Sequence, residues 1–117
     1  MLSLEDWLLK IQFTDKKVRE LCEKQEVAVK KLGDACAKKL RSRLSDLETA
    51  DCVKDVVAGR PHALHGSRAG QMALDLAGGF RLVFAAANEP VPRREDHSIE
   101  WSHVTIINIE YIGDYHE

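Results

Sequence analysis

Apolar and polar residues alternate with a period of two near the start of the chain. Leu9, Ile11 and Phe13 are separated by Lys10 and Gln12. This spacing is typical of a strand with one buried face and one exposed face. It predicts a first strand close to the N-terminus.

Helical spacing follows this strand in two stretches. Thr14 or Asp15 can accept a hydrogen bond from the free amides of the first helical turn. Gly33 and Asp34 interrupt the apolar pattern, which predicts two helices packed as a hairpin. The apolar positions are Val18, Leu21, Cys22, Ala28, Val29 and Leu32 in the first stretch, and Cys36, Leu40, Leu44 and Leu47 in the second.

Beyond Pro61 the period returns to two, which predicts antiparallel strands. Gly78 and Gly79 can adopt the positive φ angles of a tight turn between two of them. The last strand, Val104 to Ile112, is apolar on both faces and is therefore predicted to be central. Ala87 to Ser102 is unusually long for a loop and is a candidate functional element. The alternating apolar positions are Met72, Leu74 and Leu76 before the glycines, and Phe80, Leu82 and Phe84 after them.

Together these elements predict one α+β domain over residues 1–117. An N-terminal strand and a helical hairpin pack on a curved antiparallel β-sheet. The length of 117 residues suits a single core, and 44% hydrophobic with 31% charged residues is an ordinary globular balance.

Composition excludes several classes of protein. No apolar run approaches the roughly 20 residues that cross a bilayer, and no basic region precedes the first apolar patch, so we expect a cytoplasmic protein without membrane contact. Three cysteines without a C-x-x-C pair predict buried, reduced thiols. No group of His, Cys and carboxylate residues has metal-ligand spacing, so neither metal nor cofactor is expected.

The net charge of −2 is unevenly distributed. Residues 15–48 carry ten Lys/Arg against seven Asp/Glu, and residues 60–94 carry five against two, so each segment is locally +3. Residues 95–117 carry six acids and no Lys or Arg. Only local basic patches are available for nucleic acid, and charge alone does not favour RNA binding.

Two histidines are candidates for acid–base chemistry. Near the end of the chain, Asp114, Tyr115 and His116 follow the last apolar run and Gly113, and His62 opens an earlier strand. Histidine titrates near neutral pH and can act as acid or base. On the residue pattern alone, a histidine at a strand start is more often structural, and terminal residues are often frayed.

Three motifs, taken in order, resemble a known family. They are Pro61-His62-Ala63-Leu64-His65-Gly66-Ser67-Arg68-Ala69-Gly70-Gln71, then Leu74-Asp75-Leu76 with Phe80-Arg81-Leu82-Val83-Phe84, and finally Asp114-Tyr115-His116. This order resembles HigB-type toxins of the RelE/ParE superfamily and, with the helices, covers the chain after Thr14. The chain departs from the family at Ala69, where a second basic residue is usual, and at His65, where lysine is common.

The resemblance implies a RelE-like fold and a toxin of a type II toxin-antitoxin system that cuts messenger RNA on the ribosome. It also implies a set of site residues. Those that match cleavage positions are His62, Asp114, Tyr115 and His116, and those that match RNA or phosphate contacts are His65, Arg68 and Arg81.

The implied chemistry is metal-free attack of a ribose 2′-OH on its own phosphate. His62 is then the general base and His116 the general acid, although the sequence leaves open which histidine takes which role. Asp114 fixes a histidine tautomer, and Tyr115 stacks on a base or places its hydroxyl near the phosphate. Arginines stabilise the developing charge.

The implied partner is a HigA-like antitoxin with a helix-turn-helix domain, in a heterocomplex of open stoichiometry. Two other functions remain: a ParE-like inhibitor of DNA gyrase that needs no catalytic histidines, and an inactive relative that binds only the antitoxin. The combination of His62 with the Asp-Tyr-His ending favours the ribonuclease. Ala69 leaves room for the inactive relative.

Overall fold

A mixed five-stranded sheet carries a layer of helices on one face in the computed structural model, which describes residues 9–114. The strands are β1 Lys10–Phe13, β2 His62–Ala63, β3 Gln71–Asp75, β4 Arg81–Ala86 and β5 Ile106–Gly113. The helices are α1 Lys16–Glu23, α2 Gln25–Leu32 and α3 Asp34–Glu48. The predicted α+β class is confirmed, and the architecture is consistent with a RelE-like fold.

The sheet order is β1-β5-β4-β3-β2, and this corrects one expectation. β1 pairs with β5 in parallel, whereas the other neighbours are antiparallel, so the sheet is mixed and not purely antiparallel. A parallel pair needs a long crossover connection, which the helices and the β2–β4 strands supply. Alternation along β1 reveals its buried face but not its partner or direction.

The expected helical hairpin is also corrected, because the first predicted helix is split in two. Asp15, one of the two predicted capping residues, caps α1, since its Oδ1 accepts a hydrogen bond from the Val18 amide at 2.9 Å. Lys24 then adopts an extended conformation (φ −115°, ψ 106°), which ends α1 and begins α2. The stretch around it is polar and exposed, so no buried contact holds a continuous helix there. The turn lets Val18 and Ala28 both reach the core.

The main core lies between the helices and the inner face of the sheet. The predicted hairpin of β3 and β4 is confirmed, with Asp75 paired to Arg81 across a turn in which Gly78 and Gly79 have φ of 67° and 82°. β5 lies between β1 and β4, as its two apolar faces predict. The largest fully buried side chains are Phe84, Leu40, Leu47, Leu74, Leu82, Ile107 and Ile109.

A β-bulge in β5 changes which side chains reach each face. Val83 pairs with Tyr111, and the next residue of β4, Phe84, pairs with Ile109, so Glu110 is an extra residue. Ile109 therefore points into the core, and Tyr111 points to the opposite face. Bulges re-aim side chains in this way.

The long segment between β4 and β5 is folded back on itself. Arg93 and Ile99 form an isolated bridge, and the Asn88 side-chain oxygen accepts hydrogen bonds from two amides at the start of β5, at 3.0 and 3.1 Å. The hydroxyl and amide of Ser98 donate to Asp96 and hold the pKa of its carboxyl below the usual value. This segment is thus an ordered arm.

All three cysteines are free. Cys36 is buried as expected, whereas Cys22 and Cys52 are only half-buried. Burial, with a smaller contribution from the neighbouring Glu23 charge, raises the pKa of the Cys22 thiol to about 12. A thiol with so high a pKa is a poor nucleophile. Separately, none of the helices within residues 9–114 has the length and apolar character needed to cross a membrane.

Candidate functional site

The sheet face opposite the helices, here called the outer face, gathers the chemically capable residues. Opposite residues of antiparallel strands share a face. The register of the strands therefore places His62, Ala73, Val83 and Tyr111 in one row across four strands. A second row contains Asp75, Arg81 and Gly113.

A small apolar cluster forms the floor of the outer face. Leu64, Ala73 and Val83 are buried together, and the Tyr111 ring packs against them. The floor is small because the sheet is covered here only by the turn after β2 and not by a helix. It fixes the position of the polar side chains around it.

His62 is held in one ring orientation by the segment that precedes its strand. Its Nδ1 lies 2.8 Å from the carbonyl oxygen of Arg60. A carbonyl oxygen only accepts hydrogen bonds, so this contact assigns the imidazole proton to Nδ1. The Nε2 atom of the neutral ring then carries the lone pair, as a general base requires.

Arg68 stacks on Tyr111 and is oriented by it. Its guanidinium carbon lies 4.9 Å from the centre of the Tyr111 ring, and its Nη1 donates a hydrogen bond to Gln71 Oε1 at 3.1 Å. Arg68 ends the short 3₁₀ turn Gly66–Arg68, which folds over the sheet. The aromatic face and the amide oxygen together hold the planar guanidinium at the outer face.

Arg81 is one of three neighbouring charged side chains, in the order Arg60, Asp75 and Arg81. Asp75 lies between it and Arg60, with its carboxylate 2.8 Å from Arg60 Nε and 3.5 Å from Arg81 Nε. Arg81 is half-buried, its side chain 22% exposed, and Arg60 is 65% exposed. Arg81 thus reaches the outer face with its Nε beside the Asp75 carboxylate.

The remaining expected site residues divide into two groups. His65 is exposed at the start of the turn that carries Arg68, and Asp114 is exposed directly after Gly113, the residue paired with Arg81. The expected roles of Tyr115 and His116 concern residues outside those that the structure describes. Among the described residues, His62, Arg68 and Arg81 share the outer face, and Asp114 follows at its rim.

Sequence reasoning missed Tyr111, Gln71, Asp75 and Arg60. The hairpin register contained the signal for Asp75, since Asp75 and Arg81 flank the glycine turn symmetrically. No sequence signal placed Tyr111. Strict alternation from Ile109 puts Tyr111 in the core, and only the extra residue Glu110 reverses it.

The spacing of strands and rows determines how far apart the side chains of the outer face lie. Neighbouring strands are about 4.8 Å apart, so β4 runs about 10 Å from β2, and adjacent rows are about 7 Å apart. A phosphate above Val83 is then within side-chain reach of His62, Arg68 and Arg81. Within the part of the chain that the structure describes, an imidazole and two guanidinium groups are thus within reach of an extended anionic strand.

The Tyr111 ring lies where a side chain at position 113 would be, so this position has to be glycine. A Cβ built on Gly113 would lie 2.5 Å from the Tyr111 hydroxyl oxygen and 2.7 Å from Cζ, so the ring occupies that space. We expect Gly113→Ala to lower the free energy of unfolding by about 1–3 kcal/mol through overpacking. In a Tyr111→Ala background the same substitution should cost almost nothing, because the clash is gone. Urea unfolding of the four proteins measures this coupling, and equal costs in both backgrounds would contradict it.

A groove of about 540 Å³ lies beside α1, away from the outer face. It is lined by Phe13, Asp15, Lys16, Arg19, Glu20, Glu23 and Lys24, none of which belongs to the outer face. Lys16 and Lys24 both approach Glu20 there, and Arg19 stacks on Phe13. Within residues 9–114, no three His, Cys, Asp or Glu side chains are grouped closely enough to hold a metal ion.

Comparison of the chain with protein-family models, curated proteins and solved structures gives no match. The resemblance to HigB-type toxins thus remains an expectation from the motifs.

Proposed function

We propose that this protein is a ribosome-dependent messenger RNA endoribonuclease, the toxin of a type II toxin-antitoxin pair. The observation that carries the proposal is the common face of His62, Arg68 and Arg81. The contact of His62 Nδ1 with the Arg60 carbonyl leaves Nε2 as the ring nitrogen that can accept a proton, and the two arginines come from the turn after β2 and from β4.

The proposed reaction breaks one phosphodiester bond without an added water molecule. His62 Nε2 removes the proton from a ribose 2′-OH, and the 2′ oxygen attacks the adjacent phosphorus. The bond to the 5′ oxygen of the next nucleotide breaks, and that oxygen takes a proton from the general acid, His116 in this proposal. The products are a 2′,3′-cyclic phosphate and a free 5′-OH.

The arginines supply the electrostatic part of this reaction. Negative charge accumulates on the non-bridging phosphate oxygens as the 2′ oxygen attacks, and fixed guanidinium donors stabilise it. Arg68 is already oriented by Tyr111 and Gln71, so little reorganisation is needed when the phosphate arrives. Arg81 can exchange its contact with Asp75 for a phosphate oxygen.

The shape of the outer face fits an extended single strand better than a small molecule. Small-molecule sites are usually deep and largely apolar, whereas this face is a shallow sheet surface with polar edges. Three arginines, at positions 60, 68 and 81, surround it, with acids at 75 and 114. This limited positive charge supports dependence on the ribosome to present the RNA. A cytoplasmic location and a HigA-like antitoxin partner belong to the same proposal.

The test uses the purified protein and messenger RNA bound to programmed ribosomes. We expect cleavage that leaves a cyclic phosphate and a 5′-OH, and no cleavage of a message carrying 2′-deoxyribose at the cut nucleotide. Induced expression in cells should stop growth and fragment messenger RNA. Intact RNA together with accumulating DNA breaks would instead identify a gyrase inhibitor, and unaffected growth and RNA would identify an inactive relative.

A further inference from the structure

Asp75 joins two parts of the outer face through its carboxylate. Arg60 Nε donates to Oδ2 at 2.8 Å and Arg60 Nη2 donates to Oδ1 at 3.4 Å, so the contact is forked. Arg81 Nε approaches Oδ1 at 3.5 Å from β4. The segment before β2 and the strand β4 therefore meet at one side chain.

The backbone of Asp75 holds the same segment. Its amide donates a hydrogen bond to the Gly59 carbonyl at 2.6 Å. Arg60, the next residue, has a φ of 50°, in the left-handed region that non-glycine residues seldom adopt. Such a conformation persists where the surrounding contacts determine it, and Asp75 contacts both the Gly59 carbonyl before Arg60 and the Arg60 guanidinium itself. The carbonyl oxygen that accepts from His62 Nδ1 belongs to this residue, Arg60.

We propose that Asp75 is a positioning residue of this site. It holds Arg60 in its left-handed conformation, and the Arg60 carbonyl in turn fixes the His62 ring with the proton on Nδ1 and the lone pair on Nε2. The role in RNA cleavage rests on the proposed function, but the effect on the His62 tautomer does not.

The charge of Asp75 gives this role a distinctive kinetic signature. A carboxylate beside Arg81 repels the RNA backbone and competes with phosphate for the guanidinium. Removing that charge should not weaken RNA binding. A loss of His62 orientation should lower kcat, because a small misplacement of a catalytic group slows the chemical step. The combination of a lower kcat with an unchanged or lower KM separates positioning from general damage to the fold.

The experiment compares Asp75→Asn, Arg60→Ala and the control Glu95→Gln, which removes an exposed carboxylate in the arm between β4 and β5. Asp75→Asn keeps the amide that binds Gly59. Long-range ¹H–¹⁵N NMR reports which His62 ring nitrogen carries the proton in the neutral ring, with the signals assigned from a His62→Gln sample. Cleavage kinetics on programmed ribosomes give kcat and KM.

We expect the wild type and Glu95→Gln to show His62 protonated on Nδ1. Asp75→Asn and Arg60→Ala should show a mixture of tautomers, and Asp75→Asn should lower kcat about 10-fold without raising KM. An unchanged tautomer in both variants overturns the proposal, even if activity falls. If Asp75→Asn does not fold, Arg60→Ala decides alone. If the wild type cleaves no RNA but the tautomer shifts as expected, the proposed function fails and the positioning role stands.

Discussion

Replacement of His62 by glutamine is expected to lower kcat for RNA cleavage by about 10²- to 10⁴-fold, the usual contribution of a general base. Glutamine is of similar length and can keep a hydrogen bond to the Arg60 carbonyl, but it cannot accept the 2′-OH proton at neutral pH. His62 is half-buried at the edge of the sheet, so the fold should tolerate the change. Single-turnover cleavage on programmed ribosomes measures the effect directly.

The matched control is His103→Gln. His103 is exposed at the end of the 3₁₀ turn Trp101–His103, away from the row that contains His62. Its replacement should leave kcat within twofold of the wild type. A similar loss in both variants would show that histidine chemistry at the outer face is not responsible. A loss confined to KM in His62→Gln would assign His62 to RNA binding and not to proton transfer.

His116 provides the complementary measurement. If His62 is the base and His116 the acid, each single substitution should remove most of the rate. The double substitution should then cost much less than the product of the two, since residues that act as a unit are not additive. Independent, multiplicative losses would argue that the two histidines do not serve one reaction.

Sequence patterns specified the local elements better than the way those elements combine. Alternation identified β1, and the Gly78-Gly79 pair identified the β3–β4 hairpin, because period and turn chemistry are encoded within a few neighbouring residues. The parallel pairing of β1 with β5 depends on contacts between residues 96 positions apart in the chain, with Lys10 opposite Ile106. No local period carries that information.

The same division holds for the candidate site. His62, Arg68 and Arg81 were found from motifs, and the structure places all three at the outer face. Tyr111 was not predicted as a site residue because its orientation depends on a bulge. The bulge is determined by the pairing of β4 with β5 and not by the sequence of β5 alone. Asp75 appeared only as part of a motif, since its contact with Arg60 joins residues 15 positions apart, which no local pattern connects.

Truncation of Phe84 to alanine should have the largest effect on stability, a loss of about 3–5 kcal/mol in the free energy of unfolding. Phe84 is fully buried, and its ring meets Trp101 edge-on with centroids 6.1 Å apart. Removing it leaves a cavity between the sheet and the arm that carries Trp101. Urea unfolding measures the loss, and Val57→Ala is the control because Val57 is 82% exposed and should change stability by less than about 0.5 kcal/mol.

The consequences of this truncation should extend to the outer face, although Phe84 points away from it. Phe84 pairs with Ile109 next to the bulge, and that bulge turns Tyr111 toward Arg68. A cavity under the bulge removes the packing that favours this register over regular alternation, so the Tyr111–Arg68 stack should loosen. In a Trp7→Phe background, Trp101 is the only tryptophan, and its emission should shift to longer wavelength in Phe84→Ala under native conditions. Unchanged emission together with a loss of less than about 1 kcal/mol would show that the arm and the bulge are held independently of the Phe84 ring.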